Sequence, residues 1–435
     1  MRNVSGWGRF PRIECQALRF DTRKQLMDQL DRLEGGIVFA RGRSYGDSAL
    51  ASQVLLTNRF DRVLDFNTDE GIITCQSGMT LAEIIQAFLP RQWFLKVTPG
   101  TKAVSVGGAI AGDVHGKNHH IQGCFSESVI SFNLLVPSGE ILTCSRTENP
   151  ELFHATCGGM GLTGVILEAT LELRRVPGPN IAEKRFRCSS LEEVLERFDE
   201  NRHVTYSVAW IDCLARGRSQ GRSILMCGEH APGEAAEKPV RRPRRHSMPF
   251  PLPGFLMNRW SVSLFNHYYF DQCPAKTTEK IVDLDVFFYP LDSIDNWNRL
   301  YGSTGFTQYQ CVLPKETGKK GLRAILDKTA EAGLGSFLAV LKLLGPANDN
   351  MLSFPLEGYT LALDFRIEPK LFPFLERLDR IVLDHGGRLY LSKDVRMPRH
   401  VFQAGYQNCE RFRALRERYG MKRKFHSLQS KRLGI

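Results

Sequence analysis

Residues 98–129, TPGTKAVSVGGAIAGDVHGKNHHIQGCFSESV, set the tightest limit on what this chain can fold into. Gly100, Gly107, Gly108, Gly112 and Gly116 stand among small side chains, so the backbone can turn sharply and bring N–H groups against a bulky anion. No lysine occupies the place it has in a Walker loop, and the spacing does not match G-x-G-x-x-G. Neither a P-loop nor a Rossmann site is indicated, yet a phosphate-bearing cofactor is implied.

Into this run are set Asp113, His115, Lys117, Asn118, His119 and His120, a density of polar and titratable groups that costs too much desolvation for mere core filling. A solvated polar loop is one alternative, set against the apolar VSVGGAIAGDV beside it. A zinc site on His115, His119 and His120 is another, although no Cys or Glu spacing supports it. Two more glycine turns flank the stretch in sequence. ARGRSYGDS, residues 40–48, follows the apolar Gly36-Ile37-Val38-Phe39, and CGGMGLTGVI occupies residues 157–166.

This set of loops resembles the FAD-binding domain of the vanillyl-alcohol oxidase and p-cresol methylhydroxylase superfamily. Within it the chain is most similar to the decaprenylphosphoryl-ribose 2'-oxidase family. The motifs that carry the likeness are ARGRSYGD, PGT-x3-VGGAIA-x-D-x-HGKNHH, ELF-x-AT-x-GG-x-GLTG, GF-x-QYQ, KLLGP, SFP and GGRLY-x-x-KD, and they run nearly end to end. The resemblance implies FAD. It assigns to the cofactor Arg41, Gly42, Arg43, Ser44, Tyr45, Gly46 and Asp47 in the first loop, and Gly159, Gly161, Gly164 and Ile166 in the third. In the second it assigns Pro99, Gly100, Thr101, Val106, Gly107, Gly108, Ala111, Gly112, His115, Gly116, Asn118 and His119. Tyr45 stands where covalent members of the superfamily carry a histidine bonded to the flavin, so a non-covalent FAD is expected.

Composition allows two domains with an ordinary core. The formal charge of +11 is dispersed apart from clusters near residue 240 and at the C-terminus. No nucleic-acid-binding motif accompanies it, which favours cofactor and lipid-headgroup phosphates as the anions met. Eleven cysteines without C-x-x-C pairs read as reduced, buried thiols. No apolar run reaches the length of a membrane span and the start is too polar for a secretory signal, so a cytoplasmic protein is expected.

The fold expected is α+β, with an FAD-binding domain over residues 1–176, a substrate-binding domain with an antiparallel sheet over 177–395, and a segment 396–435 that by resemblance returns to the first domain. Helical spacing in 17–33 precedes a strand at 37–40. Strands are predicted at 63–66, 71–75, 94–97, 129–136 and 164–173, with helices at 81–88 and 151–156. Pro177-Gly178-Pro179 breaks the pattern. Beyond it a helix is predicted at 191–201, and strands at 206–212, 286–289, 307–312, 337–344 and 359–365. A further helix is predicted at 402–418. Residues 231–260 read as a mobile loop in which Arg241, Arg242, Arg244 and Arg245 precede Phe250, Leu252, Phe255, Leu256 and Trp260, an order suited to lipid phosphates and a membrane interface; a plain disordered insertion is the alternative.

The catalytic candidates are His115 and Lys117, which match the family's HGK, and Lys342, a lone amine in the apolar LAVLKLLGP whose pKa burial would depress. Gln308 and Gln310 fall on one face of a strand and could both reach a sugar. By resemblance Tyr289 and Arg418 also meet substrate, although the motif around Tyr289 is shifted and Arg418 stands where the family has lysine. The activity implied is oxidation of the 2'-hydroxyl of a polyprenyl-phosphate pentose, with a separate short-chain reductase completing an epimerisation and a peripheral membrane surface as the setting. A soluble sugar-lactone or alditol oxidase and a flavin-bearing scaffold without turnover are the alternatives.

Overall fold

The computed structural model describes residues 1–234, 246–254 and 257–435. The strand Arg12–Arg19 leads into the helix Arg23–Arg32, capped by Thr22, whose hydroxyl accepts from the Gln25 N–H, with Leu26 and Leu30 buried. The chain returns in Gly36–Phe39, and both strands lie parallel to Gln53–Leu56, the βαβ arrangement that a helical crossover imposes. Arg2–Ser5 adds an antiparallel edge to make a four-stranded sheet.

A second sheet, six-stranded and antiparallel, is centred on the long strand Val165–Arg175. Ile72–Gln76 flanks it on one side and Val129–Leu135 on the other, while Trp93–Leu95 pairs with its end. The capping box at Thr80 and Glu83 starts the helix Leu81–Phe88, which buries Leu81, Ile84, Ile85 and Phe88.

The third sheet has eight strands, all antiparallel, running from Thr278–Asp283 at one edge to Arg388–Leu389 at the other. Helices Leu191–Glu200, Lys315–Ala332 and Leu371–Asp384 accompany it. Side chains alternate across a strand, and here the alternation gathers one set of them on a single cavity. Val208 and Trp210, Gln308 and Gln310, Val340 and Lys342, and Thr360, Ala362 and Asp364 all line one cavity. Register brings Gln308 opposite Asp364, Gln310 opposite Ala362 and Lys342 opposite Thr360.

After this sheet the helices Arg399–Gly405, Cys409–Arg418, Met421–Lys424 and Leu428–Leu433 fold back on the first one. The His426 N–H donates to the Gly36 carbonyl at 2.8 Å, and Lys424 Nζ donates to the Leu30 and Leu33 carbonyls, each at 2.9 Å.

Three expectations need correction. The apolar stretch at 286–289 is not a strand: Asp283 caps the short helix Leu284–Phe288 by accepting from the Asp285 N–H, and Pro290 follows. The helix expected over 402–418 is two helices with a break at 406–408. Part of the loop expected at 231–260 is ordered, since the helix Arg259–Asp271 begins at the Asn258 cap. Arg241, Arg242, Arg244, Arg245, Phe255 and Leu256 lie outside the described residues. All eleven cysteines are free and buried, and among the described residues no helix is long and apolar enough to cross a membrane.

Candidate active site

A cavity of about 800 Å³ lies between the open face of the eight-stranded sheet and the glycine loops. The first loop contributes Arg41, Gly42, Arg43, Ser44 and Tyr45, and the third contributes Met160, Gly161, Gly164 and Ile166. From the middle stretch come Pro99, Gly100, Thr101, Gly107, Gly108, Ala111, Gly112, His115, Gly116 and Lys117. Close approach explains two of these glycines. A Cβ on Gly116 would sit 2.6 Å from the Thr98 carbonyl oxygen, and one on Gly107 would sit 2.9 Å from Ser77 Cβ. A Cβ on Gly100, by contrast, would meet nothing within 4 Å, because it would enter open space.

The residues present suit FAD. The Nε atoms of Arg41 and Arg43 are buried without a hydrogen-bond partner among the described residues, and the Arg43 guanidinium stacks 4.2 Å over Trp7. Fixed guanidiniums with unused donors match a pyrophosphate. The apolar lining from Val38, Val114, Met160 and Ile166 suits the flat ring systems at either end of such a cofactor.

Other residues assigned to cofactor or substrate shape the walls from behind. Val106 is core, and Asn118 Nδ2 donates to the Lys96 carbonyl at 2.8 Å. Gly46 packs against the Asp394 carbonyl, Asp47 pairs with Arg432 at 2.8 Å, and Gly159 packs on Ala155. Tyr289 is buried, and its hydroxyl pairs with Thr98 Oγ1 at 2.6 Å, so it braces the loop rather than facing the cavity. Arg418 is not at the cavity: it is an exposed residue paired with Glu151 at 2.7 Å. That expectation is corrected by where the helix Cys409–Arg418 ends.

The three histidines of the middle stretch face three different partners. His115 Nε2 accepts from Gln310 Nε2 at 3.0 Å, His119 Nδ1 accepts from the Gly345 N–H at 3.0 Å, and His120 Nε2 donates to the Val204 carbonyl at 2.9 Å. Burial and the nearby Lys342 ammonium hold His115 well below the usual imidazole range. The ring is therefore neutral, with its proton on Nδ1.

Around it stands a cluster of cations drawn from the sheet, from the middle stretch itself and from the segment after Arg388–Leu389. Lys342 Nζ makes no hydrogen bond or ion pair with any described residue, and burial lowers its pKa to about 8. Burial, then repulsion from Lys342, lowers Lys117 to about 7; its ammonium donates to the Phe287 carbonyl and lies 4.2 Å from the Phe287 ring. Lys393, from the segment after Arg388–Leu389, sits 3.7 Å over the Tyr45 ring. Burial pushes its ammonium down and pushes the Asp364 carboxyl up, while each charge supports the other. Asp364 accepts from Gln308 Nε2 at 2.6 Å and from the Tyr301 hydroxyl at 3.3 Å.

Lys393, Asp364, Thr360, Trp210 and Tyr390 line the cavity and were not singled out from sequence. Lys393 does fall in the GGRLY-x-x-KD motif. Thr360 and Asp364 are the polar positions of the otherwise apolar GYTLALDF, the same alternation that marked Gln308 and Gln310.

The profile of the FAD binding domain family matches residues 36–145. Decaprenylphosphoryl-beta-D-ribose oxidase of Mycolicibacterium smegmatis is 33% identical over 100% of this chain and 98% of that relative. L-gulonolactone oxidase of Bos taurus is 30% identical, but over 38% of this chain and 37% of its own length. L-gulono-1,4-lactone dehydrogenase of Mycobacterium tuberculosis is 22% identical over 88% of the chain and 86% of its own. With similarity spanning both chains and a cavity lined by all three glycine loops, the protein is an FAD-dependent oxidoreductase that belongs to the decaprenylphosphoryl-beta-D-ribose oxidase family of the vanillyl-alcohol oxidase and p-cresol methylhydroxylase superfamily.

Proposed function

We propose that this enzyme oxidises the 2'-hydroxyl of a polyprenyl-phosphate pentose to the 2'-keto sugar, the first half of an epimerisation that a separate short-chain reductase completes. The observation that carries the reading is a polar cluster in one cavity, to which the sheet face gives Gln310 and Lys342, the middle glycine stretch His115 and Lys117, and the segment after Arg388–Leu389 Lys393.

Bound FAD supplies the two-electron acceptor for the hydride that leaves the carbinol carbon. The protein's own groups handle position and charge. Arg41, Arg43 and the backbone of the glycine loops would hold the cofactor's phosphates. Gln308 and Gln310 orient the sugar hydroxyls, each fixed by its other partner, Asp364 for Gln308 and Thr360 Oγ1 at 3.2 Å for Gln310. No described residue takes up the donors of the Lys342 ammonium, so it stabilises the oxygen as its proton departs and negative charge grows on it. His115, neutral at working pH, holds Gln310 in place. Lys117 and Lys393 add positive potential that favours the substrate phosphate and the developing alkoxide. The buried Lys393 and Asp364 pair carries an exchangeable proton close to the cavity and is our choice of route by which the hydroxyl proton leaves.

Tyr45 occupies the first-loop position without a histidine, which supports a cofactor held non-covalently. The total charge of +11 supports a peripheral site on an anionic membrane face, where such a lipid resides. The test is product identity. A polyprenyl-phosphate pentose incubated with the enzyme and an electron acceptor should yield a product two hydrogens lighter, and borodeuteride should then place deuterium at C2'. Label at another carbon, or oxidation of a free sugar lactone in preference to the lipid, would replace this reading with that of a soluble lactone oxidase.

A further inference from the structure

The helix Arg259–Asp271, RWSVSLFNHYYFD, is apolar on two opposite faces. Its inner face buries Val262, Asn266 and Phe270. Phe265 and Tyr269 pack there too, with ring centroids 5.0 Å from Phe337 and 4.9 Å from Trp210. The outer face carries Trp260, Leu264 and Tyr268 at four-residue spacing, 82%, 72% and 63% exposed. With Phe250, at 63%, they are the most exposed large apolar side chains among the described residues after Met1. A helix apolar all round is normally buried all round. Among the described residues nothing covers the outer side of this one, and between its two ends His267 is the only acidic or basic side chain.

Position adds the second observation. Tyr269 lines the catalytic cavity next to Trp210 and Met226, so the helix is at once a cavity wall and the bearer of the exposed stripe. Tryptophan and tyrosine alternating with leucine is the composition that partitions into the headgroup boundary of a bilayer. A second copy of the chain would cover the stripe equally well by area. The bilayer is favoured because a chain of +11 is drawn to anionic lipid, whereas two copies carrying that charge repel each other.

We propose that the outer face of the helix Arg259–Asp271 is a membrane-docking surface, which lays Trp260, Leu264 and Tyr268 into an anionic bilayer and holds the Tyr269 side of the cavity against the lipid. That the bilayer is the source of the substrate rests on the function proposed above; docking itself does not. The hydrocarbon of a polyprenyl phosphate then need not leave the bilayer while its sugar enters the cavity.

The experiment compares the FAD-loaded enzyme with a W260S/L264S/Y268S variant in flotation with vesicles of phosphatidylcholine and phosphatidylglycerol. Removing three apolar side chains that the bilayer would bury should weaken partitioning by about tenfold or more. Brominated lipid should quench the tryptophan emission of the wild type and quench much less in a Trp260→Phe variant that still binds. Turnover of a short, water-soluble substrate analogue should be unchanged in the triple variant, since none of the three residues faces the cavity. Equal vesicle binding by the triple variant would overturn the proposal. So would loss of the soluble turnover along with vesicle binding, which makes the stripe structural, or a wild-type dimer in sedimentation that the triple variant abolishes. Vesicle binding that obeys the prediction in an enzyme inert toward every lipid-linked sugar would refute the function and leave docking standing.

Discussion

Changing Lys342 to Met keeps a side chain of similar length in the strand Ala339–Leu344 and deletes a charge that no described residue balances. Burial lowers the pKa of this ammonium from 10.5 to about 8, and a difference of one in pKa corresponds to about 1.36 kcal/mol. With water in the cavity sharing the charge, the folded protein at pH 7 carries a penalty of about 1 to 3 kcal/mol for holding the charged form. The sign follows from where the proton is. Below about 8 the amine is protonated in folded and unfolded chains alike, so the penalty is fully present. Between about 8 and 10.5 the folded chain releases the proton while the unfolded chain keeps it, and the penalty is relieved as pH rises. The cofactor-free variant should therefore be more stable than the wild type at pH 7, with the difference narrowing toward pH 10. In the FAD-loaded enzyme the same change should slow anaerobic reduction by substrate about a hundredfold or more, the size of effect seen for one preorganised donor. Chemical denaturation of the apo protein across pH and single-turnover reduction of the loaded enzyme read the two effects separately. A less stable apo variant would show that the amine has a structural partner, and near-normal reduction would show that it does not face the reacting oxygen.

Replacing Gly100 by Ala should leave the apo protein as stable as the wild type, because a Cβ there meets nothing, yet lower FAD affinity, as titration of the apo protein with FAD would show; Gly116→Ala should instead lower stability, since its Cβ would press on the Thr98 carbonyl. Asp113 is fully buried and accepts from the Ser126 N–H, Asn348, Asn350 and Ser353, tying the middle glycine stretch to the segment that follows Lys342. Asp113→Ala should lower stability by about 3 kcal/mol or more by leaving those donors unpaired, measured by urea unfolding. Acid precipitation should release the yellow colour into the supernatant, and colour that stays with the pellet would mean a covalent link that Tyr45 cannot make.

What was legible in the sequence, and what was not, divides along the reach of local pattern. Glycine runs set backbone conformation over a few residues, so the three loops could be read directly, and alternation in TQYQ placed Gln308 and Gln310 on one face. Lys342 stood out because a lone amine breaks an apolar strand. Lys393 did not, because it follows the short strand Arg388–Leu389 in a polar segment, and only the fold of the chain brings it over Tyr45. Arg418 misled because charge type matched while its place on the outer end of a helix was decided by packing of the C-terminal segment. Periodicity was no help at 284–288 either: LDVFF suits strand or helix, and the Asp283 cap with Pro290 behind it decided for helix.

The proposed function requires a lipid-linked pentose to deliver two electrons to FAD bound in this cavity. Mixing the enzyme anaerobically with a polyprenyl-phosphate pentose should bleach the flavin absorbance in a single turnover, with one keto sugar formed per FAD. Flavin that stays oxidised with the lipid substrate but bleaches with a free sugar lactone would contradict that function.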